Sequence, residues 1–375
     1  MLPQKIPNGP SIFSVMSQLA NQYGAINLAQ GFPNFPIDER LQEAVAKAAR
    51  GSGHQYVHYQ GLPALREAIQ ELIFRNGGSK VTTHQILITA GATQAIFSAI
   101  QALVSKGDEV VVLDPCYDCY ETPILLIGAN PVHVELSAEF LPDWEAINQA
   151  VNSNTKMIII NTPHNPSGRV WSTSDFKELE ALLLKHPNLL VLSDEVYEYL
   201  TYECQHNSTR QFEVLNERTV VVSSFGKSLQ ATGWKIGYLT APEALMNEIL
   251  RVHQFLVFSV NSVMQNAIAS YLPSFNPETI RSEYHARKTT FNEALLLSRF
   301  RCLPCDGTYF QTVDYTSIST TNDVDFCHWL TVEKGVAAIP LSVFYDSKKD
   351  LKHIRLCFAK DDETLINAAS KLCKI

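Results

Sequence analysis

Ser223-Ser224-Phe225-Gly226-Lys227-Ser228-Leu229-Gln230-Ala231-Thr232-Gly233-Trp234-Lys235-Ile236-Gly237 follows directly on an apolar run, Thr219 to Val222. The run has strand length, and it delivers two hydroxyls, a glycine and a lysine among small or neutral neighbours. A second lysine comes eight positions later, inside Gly-Trp-Lys-Ile-Gly. A lysine just past the end of a buried strand holds its amine where water is partly excluded. Desolvation disfavours the ammonium and leaves a nucleophile able to form a Schiff base. The bland alternative is a surface lysine in a Ser/Gly-rich turn. This stretch alone does not choose between them, so the rest of the chain must.

The 375 residues are 46% hydrophobic and 18% charged, a globular balance with ample core for one large and one smaller unit. A net charge of −8 gives no encouragement to nucleic acid or an anionic membrane as partner. The opening Met-Leu-Pro-Gln-Lys-Ile-Pro lacks the apolar core of a secretory signal, and no apolar run approaches membrane-spanning length. A cytoplasmic enzyme is the expectation. Of eight cysteines, Cys116/Cys119 and Cys302/Cys305 form two CxxC pairs. About 180 residues separate them, far more than a compact zinc ribbon spans, so they are read as reduced thiols and no metal is expected.

The first 35 residues are irregular and punctuated by Pro and Gly, with a short helix fitting Ile12 to Tyr23. Helices are predicted at Ile37 to Arg50 and Pro63 to Arg75. Strand-length apolar runs follow at Ile86–Thr89, Glu109–Leu113, Val132–Leu136, Met157–Ile160, Leu189–Ser193, Thr219–Ser223 and Ile236–Thr240. Most are continuously apolar, as strands covered on both faces are. Helical stripes lie between them: Ile96, Ala99, Ile100, Leu103 and Val104 form one, and Phe176, Leu179, Leu182 and Leu183 another. Strands separated by helices mean a mainly parallel sheet. The link from Ser223 to Ile236 is too short for a crossover helix, so the last strand is expected to run antiparallel. Beyond Arg251 one long helical stretch through Tyr284 and Leu297 is expected. It leads to short strands at Thr308–Val313, Gly335–Ile339 and His353–Phe358, read as a smaller α+β domain.

Several strand ends carry groups with chemistry. Ala90-Gly91-Ala92-Thr93 turns from a strand into a helix, whose free N–H groups and dipole suit a phosphate, although capping alone explains such a turn. Tyr117, in Asp114-Pro-Cys-Tyr-Asp-Cys-Tyr120, offers a ring that stacks on a ligand or packs in the core, with Tyr120 as the fallback. Asn161-Thr-Pro-His-Asn-Pro-Ser-Gly168 is an extended loop presenting the Asn165 amide, with His164 read as solvent-facing or packing. Asp194 and Glu195 end a buried strand pointing to opposite faces. A carboxylate there needs a cation or hydrogen bonds, and helix capping is the plain reading for Glu195. Arg355, alone in the apolar Lys352-His-Ile-Arg-Leu-Cys-Phe-Ala359, wants an anion, for which its planar fork suits a carboxylate.

The pattern Ser224-x-x-Lys227-x-x-x-x-Thr232-Gly-Trp-Lys235-x-Gly closely resembles the cofactor-lysine signature of fold-type I aminotransferases, which use pyridoxal 5'-phosphate. The remaining parts recur in that family's chain order: Gly-Ala-Thr, the tyrosine, Asn-Pro-x-Gly, Asp-x-x-Tyr, the lysine, the arginine. The resemblance implies that Lys227 bonds the cofactor and that Gly91, Ala92, Thr93, Ser224 and Lys235 hold its phosphate. It implies Tyr117 against the ring, Asp194 at the ring nitrogen, Asn165 and Tyr197 at the phenolic oxygen, and Arg355 on the substrate carboxylate. Gly31 and Phe32, in Ala29-Gln-Gly-Phe-Pro33, match the segment that folds over substrate. Tyr56 and the segment Phe258-Ser-Val-Asn261 match pieces that reach into a neighbouring subunit's site, implying a homodimer with composite sites. Lys235 stands where many members have arginine, a point charge in place of a fork.

By the same resemblance the fold is α/β. Residues 37–275 form a large cofactor-binding domain around a mostly parallel seven-stranded sheet, and 1–36 with 276–375 form a small domain. Segments such as Gly307-Thr-Tyr-Phe310, Ala338-Ile-Pro-Leu-Ser-Val-Phe344 and Ile354-Arg-Leu-Cys-Phe-Ala-Lys360 resemble the methionine aminotransferase branch beside the kynurenine/glutamine aminotransferases. Phe32, Phe258, Phe344 and Tyr59 fall near the substrate side chain in the matching segments, with no second cation among them. Methionine and then phenylalanine, tyrosine, histidine and glutamine are the expected amino donors to a 2-oxo acid. A carbon–sulfur β-lyase shares the first proton abstraction and stays open, as does, more remotely, a cofactor-binding regulator without turnover.

Overall fold

The structure, a computed structural model, describes residues 9–78 and 80–375. The first eight residues, expected to open the small domain irregularly, lie outside the described residues. Among the described residues, thirteen strands follow in chain order. They are β1 (Ile26–Asn27), β2 (Ile86–Thr89), β3 (Glu109–Asp114), β4 (Asn130–Glu135), β5 (Thr155–Asn161), β6 (Leu190–Asp194), β7 (Thr219–Ser224) and β8 (Gly237–Thr240), then β9 (Arg301–Cys302), β10 (Phe310–Asp314), β11 (Val336–Ala337), β12 (Ile339–Pro340) and β13 (His353–Cys357).

Seven of them form one sheet in the order β2-β8-β7-β6-β5-β3-β4. β3, β4, β5, β6 and β7 pair in parallel, while β8 runs antiparallel to both of its neighbours. The link between β7 and β8 holds only a single helical turn, Phe225–Ser228, and a 3-10 turn, Thr232–Trp234. Nothing that short carries a chain back across a sheet, so β8 returns beside β7 in the opposite direction. Helices cover both faces, which is why the central strands are apolar throughout. Ala95, Ile96, Ala99 and Ile100 of the helix Ala92–Leu103 enter one core. Phe176, Leu179, Leu182 and Leu183 of Thr173–Lys185 enter the core on the other side, with Ile158, Ile160 and Val191. Truncating a fully buried leucine of that stripe, such as Leu182, to alanine costs about 2–5 kcal/mol.

The second sheet is antiparallel, in the order β12-β13-β10-β9. β1 pairs with β11, which draws the N-terminal segment onto the C-terminal part of the chain. The expected strand over Gly335–Ile339 is divided: Val336 and Ala337 pair with β1, whereas Ile339 and Pro340 pair with β13. The expected long helix beyond Arg251 is three helices, Glu243–Leu256, Ser262–Tyr271 and Pro277–Leu295. Phe258 takes a left-handed backbone (φ 64), and the Asn261 side chain accepts from Met264 N to start the second helix. A 3-10 turn containing Pro273 ends that helix, and Asn276 caps the third with Pro277 as its first residue. Asn caps and N–H-free prolines override the continuous apolar periodicity. Among the described residues, no helix is long and apolar enough to cross a membrane.

Candidate active site

A cavity of about 450 Å³ opens where the C-terminal ends of β5, β6 and β7 meet the turn after β2, β10, β13 and the N-terminal segment. This is where ligands bind in open α/β sheets. Gly31, Phe32, Gly91, Ala92, Thr93, Tyr117, Asn165, Asp194, Tyr197, Ser224, Lys227, Lys235 and Arg355 all line it. The chain thus brings together thirteen residues singled out from motifs scattered along its length.

Lys227 sits in the single helical turn that β7 runs into. Burial pushes its amine down to about 8, aided by repulsion from Arg355 and Lys235. Its Nζ donates to the Tyr309 hydroxyl at 2.7 Å and lies 5.6 Å from the centre of the Tyr197 ring. Asp194, at the end of β6, has its carboxyl pushed up to about 6 by burial. The Tyr120 hydroxyl donating to Oδ2 at 2.7 Å and Val196 N donating to Oδ1 only partly oppose that rise. Tyr120 is therefore a partner of Asp194 rather than a stacking ring, while Tyr117 faces the cavity edge-on to it with centroids 6.0 Å apart.

The turn after β2 makes a cradle. Gly91 caps the helix Ala92–Leu103 at φ 78, a backbone that favours glycine, and it faces the Lys235 amine, which a Cβ would meet in ordinary contact at 3.4 Å. The turn is braced by Thr89 Oγ1 donating to Gly91 O and Ala90 N donating to Gln94 Oε1. A Cβ at Gly237 would lie 3.1 Å from Ala92 N and 2.7 Å from Ser223 O, so β8 can pass the helix end only as glycine. First-turn N–H groups, the Ser224 hydroxyl and a lysine amine converge there, a donor set made for a dianion.

Arg355 on β13 is fully buried and faces the same cavity. Nη1 donates to Asn165 Oδ1 at 2.7 Å and Nη2 to Ala29 O at 2.9 Å, both neutral oxygens, while Nε has no partner. Phe310 stacks 3.8 Å from the guanidinium carbon. A buried guanidinium held this way is expensive unless an anion completes it. Asn165 is itself set by Asn161, whose Oδ1 accepts from Asn165 N while its Nδ2 donates to Asp194 O.

His164 is buried and packs, one of the two outcomes expected for it: Nδ1 meets Ser167 Oγ and Nε2 meets Pro115 O, pinning two site loops together, and burial pushes its pKa down to about 4. Other expectations are revised. Glu195 is no mere cap. It accepts from Ser193, His206 and Thr209 inside the protein, with Arg210 3.8 Å away, on the strand face opposite the cavity. Tyr56 and Phe258 lie off this chain's cavity wall, 82% and 56% exposed, packed edge-to-face against each other. Phe344 stands behind Arg355, against Phe13, rather than on the wall. All eight cysteines are free thiols. Sequence reading missed Tyr309, Phe310 and Phe13. The first two sit in Gly307-Thr-Tyr-Phe310, where no charge or spacing marks a site residue among ordinary strand aromatics.

A family model for class I and II aminotransferases matches residues 23–372. The chain belongs to that family. It is 45% identical over 380 residues to the methionine aminotransferase of Escherichia coli (strain K12), covering 99% of this chain and 98% of the relative. The kynurenine–oxoglutarate transaminase of Dictyostelium discoideum is 32% identical over 410 residues, covering 98% and 94%. Among solved structures, YbdL from Escherichia coli, reported with a methionine aminotransferase function, superposes with a TM-score of 0.96 at 44% identity over the whole of both chains. The mostly parallel seven-stranded α/β sheet is thus that of the fold-type I aminotransferases, and the protein is a transferase of amino groups.

Proposed function

We propose that this aminotransferase works with pyridoxal 5'-phosphate and takes methionine and aromatic-type amino acids as donors to a 2-oxo acid, in a ping-pong cycle. The carrying observation is Arg355. A fully buried guanidinium with an unpartnered Nε, beside a desolvated lysine amine, fits the carboxylate of an α-amino acid. The residues fit the cofactor as well: the glycine-walled cradle suits its phosphate, and a buried Asp194 with a raised pKa suits a cationic ring nitrogen.

In this reading the turn at Gly91, Ala92 and Thr93, with Ser224 and Lys235, would hold the phosphate, and Tyr117 would lie against the ring. Asp194 would face the ring nitrogen, with Asn165 and Tyr197 at the phenolic oxygen and Lys227 as the bonding lysine. When bound, the cofactor supplies an electron sink for the pair left at the substrate Cα. The chain supplies the rest. Arg355 fixes the carboxylate and so orients the Cα–H bond. Lys227, whose desolvated amine titrates at about 8, would take the Cα proton in its free-amine form and, as the ammonium so formed, deliver it to the carbon at the far end of the electron sink. Asp194, re-ionised by a cationic partner, holds that partner's proton in place.

Donor choice rests on what surrounds the side chain. Phe32, Phe13 and Ile96 line the cavity, and Phe344 backs it through Phe13 and Arg355. A second buried carboxylate left unpaired there costs several kcal/mol, which disfavours aspartate and glutamate. The name of the Escherichia coli relative supports methionine at the head of the series.

The same proposal includes a homodimer in which Tyr56, Phe258 and Asn261 complete the partner's site. The exposed Tyr56–Phe258 pair, with Phe255 87% exposed nearby in sequence, supports it. It also includes a division into 37–275 and 1–36 with 276–375. The seven-stranded sheet falls wholly within the first part, and β1–β11 pairing joins the two ends of the second. A cytoplasmic location completes it. The test is kcat/KM across amino donors with one 2-oxo acid. Methionine, phenylalanine, tyrosine, histidine and glutamine should lead, and aspartate or glutamate outperforming them would overturn the substrate assignment.

A further inference from the structure

Tyr309 joins the Lys227 amine to the Gly31 segment of the cavity wall. Its hydroxyl accepts from Lys227 Nζ at 2.7 Å and donates to Gly31 O at 2.7 Å, and the residue is fully buried. A phenol has one proton, and here it is committed to Gly31. The oxygen lone pairs are therefore what Lys227 meets. An amine that spends one N–H on a fixed acceptor has its lone pair aimed well off that axis, and Lys227 lines the cavity.

The other end of the link is a strap, the segment Gln30-Gly31-Phe32 that covers the cavity. A Cβ at Gly31 would lie 2.6 Å from the Phe310 ring and 3.2 Å from the Tyr309 ring, so only glycine brings its carbonyl to the hydroxyl. The strap is held from outside by Lys360, whose Nζ donates to Phe32 O at 2.7 Å. Tyr309 itself is rigid: Phe358 N donates to its carbonyl, and its ring packs edge-to-face on Tyr197 with centroids 5.3 Å apart. Burial raises its phenol well above the ordinary range, so it neither ionises nor gives up the proton held on Gly31.

We propose that Tyr309 is a positioning residue that sets the orientation of the free Lys227 amine and ties that orientation to the seating of the Gly31 strap over the cavity. Whenever Lys227 stands as a free amine, a seated strap fixes the Tyr309 proton, the proton fixes the oxygen lone pairs, and these fix the amine. Strap position is thus read by the group that moves the substrate proton. Tyr309 exchanges no proton in the process. The inference rests on the reading of Lys227 as the proton-transferring amine.

The test is Tyr309→Phe in the full-length, cofactor-loaded enzyme, a change that keeps the ring packing and removes only the hydroxyl. Loss of one such hydrogen bond predicts a roughly tenfold fall in kcat with methionine while KM stays close to the parent's. The deuterium isotope effect on kcat with α-deuterated methionine should rise, because proton transfer is the step slowed. Amide hydrogen exchange over residues 28–35, which needs no turnover, should speed up as Gly31 O loses its donor. The inference stands if all three change together, and any one of them remaining at the parent value overturns it. Lys227→Ala, run in parallel, separates the two failures. If that variant still transaminates, the reading of Lys227 is wrong. If it is inert while Tyr309→Phe matches the parent, only the present inference falls.

Discussion

Arg355 Nη1 donates to Asn165 Oδ1 at 2.7 Å, so the residue expected to hold the substrate carboxylate rests on the amide expected to hold the cofactor. The bond crosses from β13 in the four-stranded sheet to the loop after β5 in the seven-stranded one. Arg355→Lys replaces a planar fork with a point charge that cannot serve Asn165, Ala29 and a carboxylate together. We expect kcat/KM to fall about 10²–10³-fold, carried largely by KM, for every donor alike. Losses that differ strongly between methionine and phenylalanine would mean that Arg355 reads the side chain.

Asp194→Asn keeps size and removes charge. Turnover should fall by roughly two decades or more, as when other preorganised electrostatic contacts are removed. In the cofactor-free protein the same change should act in the opposite direction. The Asp194 pKa is raised by burial to about 6, so between the usual carboxylate range and pH 6 the folded state binds more protons than the unfolded chain. That contribution to stability is present at low pH and is lost as pH rises through about 6. The Tm of Asp194→Asn relative to the parent should therefore improve from pH 4 to pH 7, and thermal melts without cofactor at both pH values check the sign.

Lys227 should be the most readily acylated buried amine of the cofactor-free protein. With its pKa lowered to about 8, its reactivity should climb with pH through a midpoint near 8 and level off by roughly pH 9.5, while an ordinary lysine near 10.4 is still climbing. Labelling across pH 6 to 10, read peptide by peptide in a mass spectrometer, gives the curve. A midpoint near 10 for the Lys227 peptide would remove the physical basis for its role.

If the exposed Tyr56 and Phe258 belong to a neighbour's site, two inert variants should complement. Tyr56→Ala and Lys227→Ala, each inactive alone, should regain partial activity when mixed and allowed to exchange subunits. Sedimentation of the parent should give a dimer, and full activity from a monomer would rule out composite sites.

Much of this architecture was legible because the strands are continuously apolar and the motif residues sit at their ends. Val220, Val221 and Val222 announce β7, and the short span from Ser224 to Gly237 announces the antiparallel β8. Thirteen residues that line the cavity were legible through the family's ordered motifs, since taken singly a strand-Gly-helix turn reads as capping and a tyrosine as packing. What escaped were groups whose role depends on partners distant in the chain. Tyr309 reads as one more strand aromatic until Gly31, 278 positions away, meets its hydroxyl. Tyr120 reads as a spare ring until its hydroxyl is found on Asp194, and Glu195 as a cap until His206 and Arg210 close around it. The helix breaks at Asn261 and Asn276 escaped because apolar periodicity runs on through their caps.

We expect Lys227, not Lys235, to carry the cofactor bond. Reducing the purified, coloured enzyme with borohydride and mapping its peptides tests this directly. The visible band should be lost and a pyridoxyl mass should appear on the peptide containing Lys227, with Lys235 unmodified. The same mass on the Lys235 peptide, or a protein that binds no pyridoxal phosphate, would contradict it.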